Sequence, residues 1–362
     1  MTVYLDWNAS APIRREAVDA FARACVGMGN PSSVHAAGRA ARAAVEKARA
    51  QVGALVGVAA ECVIFTGCGT EANALAVNGF DADAAISAVE HDAIAANLPA
   101  ARRLAVTREG AVDLEAIDLA GAKLVAVMLA NNETGVIQPV AEVAARAKAQ
   151  GARVHCDAVQ AAGKIPVDFH ALGVDTLALS AHKLGGPMGV GALIVRDGVD
   201  VKPLWRGGGQ EKGARAGTPN LPGIVAFGVA VELAAQELGG WAKLAAARDH
   251  VANAVDSAAL GTIFYGARAP RLPNTLCLGL PGAPAHTQVM ALDLAGFAVS
   301  AGAACSSGKI APSTSLLAMG AGEGAGETIR VSFGPATDEK DLAAFAAAYV
   351  EFATRRKRAR AA

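Results

Sequence analysis

Four short segments of this sequence pair chemically useful residue types with a position at the end of an apolar run. Ser180, Ala181, His182 and Lys183 close the stretch 176–179 and lead into the glycine-rich stretch 185–191. An amine at the mouth of a parallel sheet can condense with an aldehyde cofactor as a Schiff base, whereas an exposed lysine is ordinarily a solvated surface charge. Asp157 ends the run 153–156, at the carboxyl edge where α/β sheets bind ligands. Its carboxylate could pair with a ring nitrogen, with Gln160 donating to a ring oxygen, or it could simply cap a helix. Residues 65–70 (Phe, Thr, Gly, Cys, Gly, Thr) run from a strand through glycines into a helix, a device that many folds use for phosphate. Glu90 and His91 end a fourth run, where an imidazole could stack on a cofactor ring and shuttle protons, or serve structure alone.

The elements that must hold these residues follow from periodicity. Runs 61–65, 84–89, 124–129, 153–156, 176–179 and 191–195 are nearly continuous in apolar residues, as in strands covered on both faces. Helical patterns over 36–56 and 140–150 alternate with them. That alternation predicts an α/β fold with a mainly parallel sheet and helices on both sides. The pattern shifts near 239–246, after which come a strand at 274–280, a helix at 286–294 and a strand at 328–333. A last helix opens at Thr337 and sets Leu342, Phe345, Tyr349 and Phe352 on one face. We therefore expect a large domain over 16–245 and a smaller α+β domain built from 1–15 and 246–362. The basic tail 355–360 suits the carboxyl end of a helix.

Composition narrows the function classes. Hydrophobic residues make up 53% of 362, enough for a large core, and Lys plus Arg balances Asp plus Glu at 33 each. Such a balance gives no long-range attraction for nucleic acid or an anionic membrane. With no basic-then-apolar opening, a cytoplasmic protein is expected. The six cysteines show no metal-ligand spacing, and Cys62 and Cys277 sit in apolar runs as small buried hydrophobes would. Cys305 is different. Ser300, Ala301, Gly302, Ala303 and Ala304 precede it and Ser306, Ser307 and Gly308 follow, poor core material and a good mobile loop.

Further segments complete a recognisable set. Residues 4–9 (Tyr, Leu, Asp, Trp, Asn, Ala), 30–35, 70–73, 90–91, 131–135, 155–160, 180–183, 207–211, 215–218, 300–308 and 329–334 occur in a specific order. With them the chain resembles the cysteine desulfurases of the NifS/IscS type, within the class V aminotransferase group of fold-type I enzymes. The resemblance implies a seven-stranded-type sheet and pyridoxal 5'-phosphate as cofactor, with Lys183 as the Schiff-base lysine. It implies that His91 stacks on the ring and moves protons, that Asp157 pairs with the pyridinium and that Gln160 meets the phenolic oxygen. Gly69, Thr70, Ser180 and His182 would hold the phosphate, and Thr218 would reach the phosphate of a partner subunit, making a homodimer. Asn132 and Arg330 would orient the carboxylate of L-cysteine, with Asn132 also beside the cofactor. Cys305 would take the sulfur as a persulfide, leaving L-alanine, and hand it to an acceptor such as an iron–sulfur scaffold. A class V aminotransferase or a selenocysteine lyase would share the lysine, but the former gains nothing from Cys305. Cys68 and Ala181 depart from the residues common at their positions.

Overall fold

The computed structural model describes residues 2–27, 29–258, 260–302 and 312–361. After a short first strand, β1 (Val3–Tyr4), come seven that form one sheet. These are β2 (Val63–Thr66), β3 (Ala84–Ser87), β4 (Arg102–Leu104), β5 (Leu124–Ala126), β6 (Arg153–Asp157), β7 (Thr176–Ser180) and β8 (Gly191–Val195). Across the sheet they lie in the order β2-β8-β7-β6-β5-β3-β4. Strand β8 runs antiparallel to both its neighbours, β2 and β7; every pairing from β7 to β4 is parallel.

The apolar runs arise because both faces are covered. Val125, Leu177, Leu179, Ala192 and Ile194 enter one core, with Val45, Val52, Val143 and Phe227 from the helices Ala36–Leu55, Val140–Ala149 and Leu221–Asp256. The alternating residues Leu124, Ala126, Ala178 and Leu193 enter the opposite core, with Leu75 and Ile94. This is the period of two that a pleated strand imposes. The expected strands at 84–89 and 124–129 end earlier, at Ser87 and Ala126, where the chain leaves the sheet. Strand β4 was not expected: its Arg102 and Arg103 are exposed, as suits an edge. Cys62 lies half-buried in the helical turn Ala60–Cys62 rather than in a strand.

A second sheet follows, from β9 (Ile263–Phe264), β10 (Thr275–Gly279), β12 (Ser300–Ala301) and β13 (Thr328–Ser332), antiparallel in the order β12-β13-β10-β9. The remaining strand, β11 (Phe297–Ala298), pairs with β1. Leu276, Val331 and Leu5 build a separate core there, with Leu342, Phe345 and Tyr349 from the helix Glu339–Ala361. The 36-residue helix Leu221–Asp256 runs unbroken through Gly239 and Gly240, where the sequence pattern changes. By length and composition it could cross a bilayer, but Ile224 and Phe227 are committed to the first core and Val251 and Val255 to the second.

Phe345 is fully buried, edge-on to Phe297 and beside Tyr349. Phe345→Ala is expected to lower the unfolding free energy by about 3–5 kcal/mol, read as a drop in urea midpoint. Val26→Ala, at an exposed helix end, should move it by less than about 0.5 kcal/mol.

Candidate active site

The carboxyl ends of β2, β3, β5, β6 and β7 converge on a cavity of about 320 Å³, which the N-terminal segment and β13 close from the other side. Gly69, Thr70, His91, Asn132, Asp157, Gln160, Ser180, His182, Lys183 and Arg330 all line it. Thr218 is exposed and does not line the cavity of its own chain. Cys305 lies outside the described residues.

One end of the cavity is built to accept an anion. Strand β2 passes through Gly67 and Cys68 into the helix Gly69–Val77, whose first residues Gly69 and Thr70 line the cavity, as helix starts that take anions do. Cys68 caps that helix, its Sγ accepting the N–H of Glu71 at 3.4 Å. Glycine leaves room for a close approach at two contacts. A Cβ on Gly191 would stand 2.6 Å from the Cys68 carbonyl carbon, and one on Gly69 would stand 3.1 Å from Ser180 Cβ. The close approach brings Ser180 Oγ to the helix start, buried and without a partner among the described residues. His182 stays neutral near physiological pH, because burial and the Lys183 cation lower its pKa to about 4.

Lys183 leaves β7 in the helical turn Ala181–Lys183, and its Nζ donates to the carbonyls of Asn8 at 2.5 Å and Ala9 at 3.0 Å. Asp157, at the end of the neighbouring strand β6, accepts the Val159 N–H at 2.9 Å and Asn73 Nδ2 at 2.7 Å. No helix begins at Asp157; the next, Phe169–Leu172, is capped by Asp168. Behind the carboxylate, His155 Nε2 lies 2.9 Å from Asn73 Oδ1 and His155 Nδ1 lies 2.8 Å from Thr176 Oγ1. Since Asn73 gives its N–H to Asp157, its oxygen faces His155, which must carry its proton on Nε2. Complete burial holds that ring neutral, with a pKa lowered to about 3.

His91 both serves structure and faces the cavity. Its Nδ1 accepts the Ala93 N–H at 3.0 Å, capping the helix Asp92–Ala95, so the neutral ring carries its proton on Nε2. Arg330 donates from Nη2 to Asp6 at 2.5 Å and from Nη1 to the Asn132 carbonyl at 3.2 Å. Its buried Nε has no partner among the described residues, leaving a donor in a cavity wall suited to a carboxylate.

Sequence reasoning missed several groups. Asn8 contacts Lys183, Gln160 and Lys164 at once, yet had no assigned role. Asn73, His155 and Glu90 also lay within quoted motifs without a task. Glu90 accepts the Met128 N–H at 2.6 Å, and burial pushes its carboxyl well above the usual range. Lys164, which carried no signal, is buried against Asn8 and Gln160.

The model of the aminotransferase class-V family matches residues 3–345, and the chain belongs to that family. Within it, the chain is 42% identical to a cysteine desulfurase of Cereibacter sphaeroides, over 88% of this chain and 86% of that one. It is 38% identical to the cysteine desulfurase IscS of Dictyoglomus turgidum, over 94% of this chain and 91% of that one. The structure of a NifS-like protein from Rickettsia africae superposes with a TM-score of 0.90 at 33% identity, covering 97% of this chain and 99% of that one. The sheet order and the lysine-bearing edge thus belong to a fold-type I enzyme, as the motifs implied.

The buried imidazole has a consequence for stability. Folded, His155 remains neutral down to about pH 3; unfolded, it titrates near pH 6.5. Between those values the unfolded chain binds more protons, so the stability is complete above the unfolded pKa and is lost as pH falls through the window. The cost approaches about 1.4 kcal/mol per pH unit. His155→Gln should therefore lose less urea resistance than the parent between about pH 7 and about pH 5. Equal losses would remove His155 as the source.

Proposed function

We propose that this protein is a cysteine desulfurase that uses pyridoxal 5'-phosphate to take sulfur from L-cysteine and release L-alanine. The observation that carries the proposal is the placing of Asp157 at the end of β6 and Lys183 just past the end of the adjacent β7, around a cavity where a buried Ser180 Oγ has no partner among the described residues. That donor set fits the cofactor: Gly69, Thr70, Ser180 and His182 for a phosphate, Asp157 for a ring nitrogen, Gln160 for a ring oxygen. When bound, pyridoxal 5'-phosphate supplies an aldehyde that captures the substrate amine and a ring that stabilises negative charge at its Cα.

The chain's own residues do the rest. Lys183 would hold the cofactor's aldehyde and, once free, its Nζ would be the base placed to take the substrate Cα proton. Arg330 and Asn132 orient the substrate carboxylate, a task for which a guanidinium's paired donors suit better than an ammonium. His91 Nε2 exchanges protons with the substrate side of the cavity. Cys305 attacks as the thiolate, the reactive form. Its S–S bond to the substrate sulfur forms as the substrate Cβ–S bond breaks, the electron pair stays on carbon, Cβ takes a proton, and Cα regains its proton from Lys183. Cys305 then holds the sulfur as a persulfide and the carbon fragment leaves as L-alanine.

Thr218 points to a homodimer, since it is exposed on its own chain while its motif is one that serves a partner's phosphate. The persulfide would pass to an acceptor protein such as an iron–sulfur scaffold. We assign the reaction to the cytoplasm, where cysteines such as Cys25 and Cys68 remain free thiols.

Borohydride reduction should fix the cofactor to the peptide holding Lys183, and Cys305→Ala should stay yellow and respond spectrally to L-cysteine without forming alanine or persulfide. A label on Lys202 would refute the lysine assignment, and alanine at the normal rate from Cys305→Ala would refute the desulfurase reaction. For the dimer, Thr218→Ala chains mixed with Lys183→Ala chains should regain part of their activity, because one site of each heterodimer has both groups. No recovery in verified heterodimers would mean that Thr218 serves its own subunit.

A further inference from the structure

Lys164 is 3% exposed and has no part in the reaction just outlined. Its Nζ donates to Asn8 Oδ1 at 2.8 Å and to Gln160 Oε1 at 2.9 Å. Among the described residues, the charged groups that act on it are both cations, Lys183 from the turn after β7 and Arg330 from β13. Burial first, and then those cations, push its pKa well below that of an ordinary lysine.

The two bonds made by Gln160 agree on one orientation. Its Oε1 is turned to Lys164, and its Nε2 donates at 2.8 Å to the Asn8 carbonyl, which can only accept. An Nε2 carries a second N–H, and Gln160 lines the cavity together with Lys183. Were the amide reversed, an oxygen would meet the Asn8 carbonyl and the cavity would lose its donor.

We propose that Lys164 is a positioning residue that holds the Gln160 amide so that an N–H, and not an oxygen, faces the ring oxygen of the cofactor carried by Lys183. The inference rests on the reading that Lys183 carries pyridoxal 5'-phosphate. Loss of the donor strengthens the hold of the ring oxygen on the proton it shares with the Lys183 nitrogen, so that proton leaves at higher pH.

The test uses the full-length protein, stripped of cofactor and reloaded with pyridoxal 5'-phosphate. Lys164→Met should weaken cofactor binding about tenfold, the size of one lost hydrogen bond. It should also raise the midpoint of the visible band's pH titration by about one unit. In a Gln160→Ala background, adding Lys164→Met should change neither quantity further, because Lys164 acts through Gln160. Unchanged binding and midpoint in Lys164→Met, or an equal further shift in the Gln160→Ala background, overturns the proposal. If Lys164→Met does not fold, Lys164→Ala decides. Water that fills the space can accept as readily as donate and no longer fixes the amide, so the midpoint must still rise; an unchanged midpoint overturns the proposal. Failure of the underlying reading looks different: borohydride would then fix no cofactor to Lys183 in the unaltered protein, and this inference would fall with it.

Discussion

The site depends on one buried side chain from the start of the chain. Asn8 is fully buried between the two sheets and bonds to both. Its N–H meets Ser332 Oγ at 2.9 Å and its Nδ2 meets Thr275 Oγ1 at 2.9 Å, on the smaller sheet. Its carbonyl takes Lys183 and Gln160, and its Oδ1 takes Lys164, all beyond the edge of the larger sheet. Leu5 bonding to Ala298 and Ala11 to His182 hold the same segment on either side of it. A net hydrogen bond is worth about 1 kcal/mol, but a buried group stripped of its partner costs about 1–3 kcal/mol. The register of this segment is therefore fixed by what it would cost to leave any of these groups unpaired.

From Asn8 outward, donors and acceptors admit a single consistent assignment. Lys164 and the Asn8 carbonyl orient the amide of Gln160; Asp157 orients the amide of Asn73, and Asn73 sets the tautomer of His155. In a low-dielectric interior such bonds strengthen one another and a reversed amide breaks several at once. The geometry at the cavity wall is thus set in part by Lys164, His155 and Thr176, which do not line it. His155 and Thr176 lie a full side chain behind the carboxylate they support.

The legibility of this protein in its sequence follows the range of each interaction. Strands β3, β6, β7 and β8 were visible because burial on two faces leaves a local run of apolar residues, whereas β4 has Arg102 and Arg103 at an edge and no such run. The helix Leu221–Asp256 hid its continuity because Gly239 and Gly240 break the local pattern without breaking the hydrogen-bonded turn. Lys183, Asp157 and the glycines before Thr70 could be read because each ends a strand. Asp157 as a helix cap was the favoured local reading when the residue was taken alone, and only the turn that follows it decides the matter. The roles of Asn73 and His155 are set by partners 82 and 84 positions apart in sequence, and those of Asn8 by partners farther still. Lys164, between Gly163 and Ile165, looks like any solvated lysine until the fold buries it.

The bond between Asn8 and Ser332 spans 324 positions, and its length has a meaning for biosynthesis. On the ribosome, Asn8 emerges long before β13, while the strand ends that carry Asp157 and Lys183 appear midway. The large sheet can assemble while Asn8 still lacks the Ser332 hydroxyl that completes its hydrogen bonding. Loop closure of this kind comes late because its entropy must be met before the contact rewards it. The carbonyls that hold the Lys183 amine are therefore the last part of its surroundings to be secured.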